Sequence, residues 1–181
     1  MEEEKVLLQA TLCYLVKDGQ VLLGIKEKKI GKGCWNGFGG GIEPGETPEK
    51  AALRELKEEA GVTVFPEHLK KVAIVDFHNQ KSDGAFFICQ VHVYLAEKWL
   101  GEPKATKEMS HPTWFLIQSL PVEKMMLADK DWLPLILEGK KVRAVARYGP
   151  FQKTLLGKVK VQRVNYFRET RNSLPPKSRF F

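Results

Sequence analysis

The 181-residue chain carries 29 Lys and Arg against 22 Asp and Glu, for a formal net charge of +7, with 43% hydrophobic and 28% charged residues. That length and balance fit one globular domain with its own core, and they exclude a disordered chain or a comfortable pair of domains. No apolar run is long enough to span a membrane, the start MEEEKVLLQA is acidic where a targeting segment would be basic, and three scattered cysteines lack paired spacing, so a cytoplasmic protein is expected.

In chain order, LLQATLCYLV and QVLLGI predict two strands joined by the turn signal KDG. The run KKIGKGCWNGFGGG, with six glycines in fourteen residues, predicts a loop or irregular strand whose backbone approaches something closely. A helix follows, with Thr47 as N-cap, Pro48 at its first position and Gly61 as its left-handed C-cap. KKVAIVDFH, FFICQVHVYLA and TWFLI predict strands, and DWLPLIL a short helix with Pro134 near its start. VRAVARY and TLLGKVKVQRV predict a last pair of strands, and the stretch from Asn165 has no apolar period. Strands around one strong helix and one weaker helix define the expected fold class as α/β, in the form of an α+β sandwich. The expected division is a domain over residues 1–164 and a basic, poorly ordered tail over 165–181.

The charge is unevenly placed. Residues 139–181 hold twelve Lys and Arg and one acid, Glu169, whereas residues 1–138 hold seventeen basic and twenty-one acidic residues. The basic region is either a solvated edge or a field that attracts polyphosphate or nucleic acid.

The first helix collects glutamates. On a helical wheel of about 100° per residue, Ala52, Leu53, Leu56 and Ala60 share an apolar arc, and Glu55, Glu58 and Glu59 fall on the adjoining one. Like charges so placed destabilise a helix and raise one another's pKa unless a cation lies between them. Oxygen donors without His or Cys suit Mg²⁺ or Mn²⁺ rather than zinc. The arc is therefore either an exposed charged face or a platform for metal and polyphosphate, with Arg54 orienting a neighbouring glutamate.

Written out, Gly40, Glu46, Arg54-Glu55-Leu56, Glu58-Glu59 and Gly61-Val62 form G-x5-E-x7-R-E-L-x-E-E-x-G-V. This resembles the Nudix box at every defined position. The resemblance implies a mixed sheet flanked by helices, with the box as loop–helix–loop, and an enzyme that hydrolyses nucleoside diphosphate linkages with Mg²⁺. It further implies a Gly40 carbonyl and the Glu55, Glu58 and Glu59 side chains as metal ligands, with Glu46 and Arg54 in support. Glu108, just before a strand, is either a further metal ligand or proton acceptor, or a surface glutamate.

Beyond the box, VLLGIK, GKGCWNGFGGG, VHVY, EMSHPTWF and MMLADKDWLPLIL are similar, in order, to the oxidised-purine nucleoside triphosphatases of the MutT-homologue group. That likeness covers roughly residues 8–164. It implies Asn36 as base reader, because an amide offers donor and acceptor together. Thr11 and Lys26 match positions near the nucleotide, and Lys26 reads equally as a strand-end lysine. Trp35 and Phe38 are either core or pocket walls. The group commonly carries a tryptophan followed by two adjacent aspartates before its second helix. Here Met126 replaces the tryptophan, Ala128 replaces the first aspartate, and Asp129 alone remains. Met126 can still cover a base face as a soft side chain.

The implied activity is hydrolysis of a nucleotide such as 8-oxo-dGTP to monophosphate and pyrophosphate, which clears oxidised nucleotides from the pool and so protects DNA. Two alternatives keep the box: an RNA 5′-pyrophosphohydrolase or decapping-type enzyme holding nucleic acid on the basic C-terminal region, and a non-catalytic nucleotide-binding module. The sequence leaves both monomer and dimer open.

Overall fold

The computed structural model describes residues 6–167. Strands β1 (Gln9–Lys17) and β2 (Gln20–Lys26) meet at Asp18 and Gly19, whose φ angles of 52° and 72° make the mirror-image turn that follows strand twist. They pair only at Val16↔Val21 and Lys17↔Gln20. Past that point β1 runs parallel to β5 (Phe86–Ala96), from Gln9↔Gln90 to Leu15↔Ala96. Meanwhile β2 pairs with the two-residue β3 (Trp35–Asn36) and with β6 (Met109–Leu116).

Further along the sheet, β4 (Leu69–Gln80) joins antiparallel β5 to parallel β7 (Lys141–Tyr148), and β8 (Lys160–Val164) closes the edge. The order is β3-β2-β1-β5-β4-β7-β8, with β6 beside β2.

Alternation along β1 sends its side chains into two cores. Cys13 and Leu15 pack with Leu56 and Ala60 of helix α1 (Pro48–Ala60), against Tyr94. Tyr14 and Val16 pack on the other face with Trp132, Leu133 and Ile136 of helix α2 (Asp129–Leu137). Helices thus cover both faces of a mixed sheet, the expected sandwich.

Three elements differ from expectation. β6 begins at Met109, before TWFLI, because Met109 and Ser110 pair with Lys26 and Ile25 across an irregularity at Gly24. α2 starts at Asp129, so Pro134 lies inside it rather than near its start. Residues 154–159 form a loop held by the Tyr148↔Leu155 bridge, and only Lys160–Val164 of the predicted last strand forms. Most of the predicted 165–181 tail lies outside the described residues. Among the described residues no helix is long and apolar enough to cross a membrane.

Candidate active site

The glycine-rich segment runs antiparallel to the first half of β1, with Thr11 N donating to Gly40 O (2.8 Å) and Cys13 N to Phe38 O (2.7 Å). Two glycines here are set by close approach. A Cβ on Gly39 would lie 2.1 Å from Thr11 O, and one on Gly40 would lie 2.5 Å from Glu55 Oε1. The backbone therefore sits directly against the carboxylate helix. Thr47 Oγ1 accepts from Lys50 N (3.3 Å) and Gly61 ends α1 at φ 73°, so local capping fixes the helix as expected.

Arg54 ties loop to helix. Its Nε and Nη2 donate to the two oxygens of Glu46, each at 2.9 Å, and Nη2 also donates to Gly41 O at 3.0 Å. Nη1 donates to Glu55 Oε1 (2.8 Å) and Glu58 Oε2 (3.2 Å). The guanidinium beside Glu46 holds that carboxyl below its usual range. One cation thus serves three carboxylates, and its removal leaves all three uncompensated. Arg54→Ala is expected to cost about 1–3 kcal/mol of stability and most of the turnover, and Arg54→Lys, which lacks the fork, to recover little of either. Thermal melts and initial rates check this, and an Arg54→Lys variant at wild-type rate would contradict it.

Glu55 and Glu59 are buried, while the Glu58 side chain is 57% exposed. Glu59 Oε2 accepts from Gly39 N at 2.7 Å. Burial, opposed by that hydrogen bond and reinforced by the charges of Glu55 and Glu108, pushes Glu59 up to about 7. Burial also raises Glu55, against the pull of Arg54. Glu108 is half-exposed, 3.9 Å from Lys28 Nζ, and close enough to act on both buried glutamates.

Among the described residues, no three His, Cys, Asp or Glu side chains converge as a metal cage. Glu59 turns to Gly39, and Glu55 and Glu58 to Arg54. Even so, the donor set is all oxygen, one oxygen of each helix glutamate is left over, and burial raises both buried carboxyls. A hard divalent cation fits that chemistry. The Gly40 carbonyl spends one lone pair on Thr11 N and keeps the other.

A cavity opens beside this helix. Its floor is the α2-side face of the sheet, where Ala10 pairs with Val91, Cys89 with Phe77, and Phe87 with Asn79, which in turn pairs with Tyr148. Gly39, Gly40 and Glu59 border one side. Thr11, Lys26, Asn36, Met126 and Asp129 all line it, so five of the sequence-predicted substrate residues meet in one place.

Thr11 Oγ1 and Asp129 Oδ2 are buried with no hydrogen-bond partner among the described residues. Asn36 Oδ1 accepts from Gly37 N at 2.8 Å, which leaves its amide N–H groups to a ligand. Burial pushes Asp129 up to about 7, opposed by the nearby Trp132 indole, whose Nε1 has no hydrogen-bond partner among the described residues.

Two predicted residues stand elsewhere. Phe38 is 1% exposed in the core under α1, because its side chain alternates away from the cavity. Trp35 packs edge-on against Phe115 at 4.9 Å and bridges to Met125. Ala128 is fully buried against Ala146 and Tyr148, and its N–H donates to Tyr148 Oη at 2.9 Å. A carboxylate in its place would be buried against apolar walls. Asn79 and Gln152 line the cavity without having been anticipated. Asn79 had a signal: it continues the inward row Val75, Phe77 on β4 with a polar residue. Gln152 had none.

A glycine loop against a helix of glutamates, opening on a largely apolar cavity with a few polar groups on its wall, fits a phosphoanhydride hydrolase on a mixed-sheet sandwich. The NUDIX domain model matches residues 7–136, and the chain belongs to that family. It is 42% identical over 131 residues to the oxidized purine nucleoside triphosphate hydrolase of Danio rerio, covering 72% of this chain and 80% of that one. The protein of the same name from Mus musculus is 38% identical over the same shares. A MutT protein structure from Bacillus halodurans superposes with a TM-score of 0.70 at 24% identity, covering 86% of this chain and 97% of that one, a likeness of fold. The chain is a Nudix hydrolase.

Proposed function

We propose that this enzyme hydrolyses oxidised purine nucleoside triphosphates, 8-oxo-dGTP foremost, to the monophosphate and pyrophosphate. The observation that carries the reading is the continuity of the glutamate helix with a cavity that holds two orphaned buried oxygens, on Thr11 and Asp129. Buried polar atoms are seldom left unpaired, and a ligand filling the cavity would complete these two. The names of the two animal relatives point the same way.

Gly40, Glu55, Glu58, Glu59 and Glu108 are the residues that would hold Mg²⁺, or Mn²⁺. When bound, the metal supplies charge neutralisation on the phosphates and activation of water. The chain's own groups do the rest. Lys26 stands on the cavity wall within electrostatic reach of Glu59 and favours a polyphosphate there. Asn36 and Asp129 read the base edge. Met126 lines the wall, its sulfur against Gly31, and covers the base face.

With Ala128 buried, a single carboxyl reads the base, so one oxidised purine should be strongly preferred. The alternative edge would leave a buried polar group unpaired at about 1–3 kcal/mol.

The test is a panel of normal and oxidised nucleoside triphosphates, including 8-oxo-dGTP, 2-hydroxy-dATP and dGTP, scored for pyrophosphate against phosphate. The expected result is pyrophosphate release with a clear preference for one oxidised purine. Phosphate as the product, or equal rates on dGTP and both oxidised purines, would overturn the reading.

A further inference from the structure

Asn79 and Gln152 come from strands and loops 73 positions apart, yet Gln152 Nε2 donates to Asn79 Oδ1 at 2.8 Å. Asn79 is 4% exposed, and its own Nδ2 donates to Phe77 O at 2.9 Å. Both Asn79 hydrogen bonds are therefore internal, and they fix which way its amide points. Gln152 is different. After its bond to Asn79, its amide oxygen and second N–H have no partner among the described residues, and the side chain lines the cavity.

The backbone beneath it is unusual. Phe151 and Gln152 both have φ of 54°, two consecutive residues with side chains in the left-handed region. Such a conformation is unfavourable for L-residues, and it persists where the surrounding structure holds it. The surroundings here are Gln152 N on Gly149 O at 3.0 Å and the amide pair itself.

Position adds a second argument. From the Gly40 segment to β4 is three strand spacings, roughly 14 Å, so Asn79 and Gln152 lie at the end of the cavity farthest from the glutamates. Asn36 lines the same cavity from the β3 side. A nucleotide with its phosphates at Gly40 and one base edge at Asn36 would have the opposite base edge facing Gln152.

We infer that the Asn79–Gln152 amide pair is a specificity element, in which Gln152 presents its free C=O and N–H to an N–H/C=O edge of the base. This rests on the proposed nucleotide hydrolase reading and extends it. An 8-oxopurine carries such an edge on its five-membered ring, N7–H beside C8=O. An ordinary purine has there a bare acceptor nitrogen beside a C–H, which an amide meets with one hydrogen bond. Asn79 acts through Gln152 and is a positioning residue.

The test uses full-length wild type, Gln152→Gly and Asn79→Ala, with 8-oxo-dGMP and dGMP as ligands in metal-free buffer and calorimetric Kd values. The same three proteins are then assayed for kcat/KM on 8-oxo-dGTP and dGTP. Gln152→Gly relieves the backbone at φ 54° but leaves the buried Asn79 Oδ1 without its donor, so the ratio of the two Kd values, not Tm, carries the test. A purely structural role for the pair would shift Tm and leave that ratio unchanged. The expected result is a Kd ratio of 8-oxo-dGMP to dGMP that collapses by roughly tenfold or more in Gln152→Gly, the discrimination expected of a bidentate amide contact, with a smaller loss in Asn79→Ala. Ratios within twofold of wild type in Gln152→Gly would overturn the inference even if wild type hydrolyses 8-oxo-dGTP preferentially. Failure of wild type to turn over any oxidised nucleotide would overturn the parent reading and this one with it.

Discussion

Glu59→Gln is expected to lower kcat by roughly two to four orders of magnitude while leaving the fold as stable as before or more so. Stability should hold because the contact that orients Glu59, Gly39 N on Oε2 at 2.7 Å, needs only an acceptor, which a glutamine oxygen supplies. What disappears is a buried charge. Glu59 is raised to about 7 from 4.5 by burial and by Glu55 and Glu108, so the folded state binds more protons than the unfolded one between those values. Its contribution to stability therefore falls as pH rises from about 4.5 to 7, and the glutamine variant should lack that slope. Catalysis should suffer because the oxygens that would hold a cation lose one formal negative charge at nearly constant shape. Wild type should gain in Tm on adding Mg²⁺, since a ligand of the native state stabilises it, and the variant should gain less. Glu58→Gln, at a largely exposed side chain, should reduce turnover without the stability gain. Near-wild-type turnover in both variants would remove the helix from catalysis.

How much of this was legible beforehand depended on how local each feature is. The box helix was, because Thr47, Pro48 and Gly61 act within one or two turns of the chain they cap. The hairpin at Asp18–Gly19 was, for the same reason. The exchange of β1 from β2 to β5 was not, since nothing within QATLCYLVK says that its neighbour changes after Val16. The spacing of the glutamates put them on one arc but could not say that two of them are buried, which follows from the Gly39–Gly41 backbone packed against the helix. Arg54 was expected to orient one glutamate, yet it spans Glu46, Glu55 and Glu58. Phe38 and Asn36 sit two apart in one motif and part ways, one into the core and one into the cavity. The far wall at Asn79 and Gln152 depends on β4 lying beside β7, a pairing that no local pattern encodes.

The largest trade of stability for recognition should lie at Asp129. The residue is 3% exposed at the first position of α2, with Oδ2 unpaired and Trp132 Nε1 and Tyr14 Oη also unpaired nearby. Burial raises its carboxyl from 3.8 to about 7. In the unfolded chain the same group ionises near its ordinary value. Between these values the folded state holds a proton that the unfolded state has released, so stability declines as pH rises from about 4 to 7 and is flat above. Asp129→Asn removes the ionisation while keeping the shape, and it should raise stability at pH 8 by on the order of a few kcal/mol, with little change at pH 4. The same variant should lose base discrimination. An amide cannot switch from donor when protonated to acceptor when ionised, and its fixed N–H groups would face whatever edge the carboxyl had met. Wild type should therefore change its preference among bases between pH 6 and pH 8, and the variant should not. Melting curves of both proteins at pH 5, 6 and 8, differenced to cancel the glutamates they share, isolate this group, and kcat/KM for 8-oxo-dGTP and dGTP at pH 6 and 8 completes the test. Parallel stability profiles would show that Asp129 is ionised in the folded protein, held by a partner that a ligand does not need to replace.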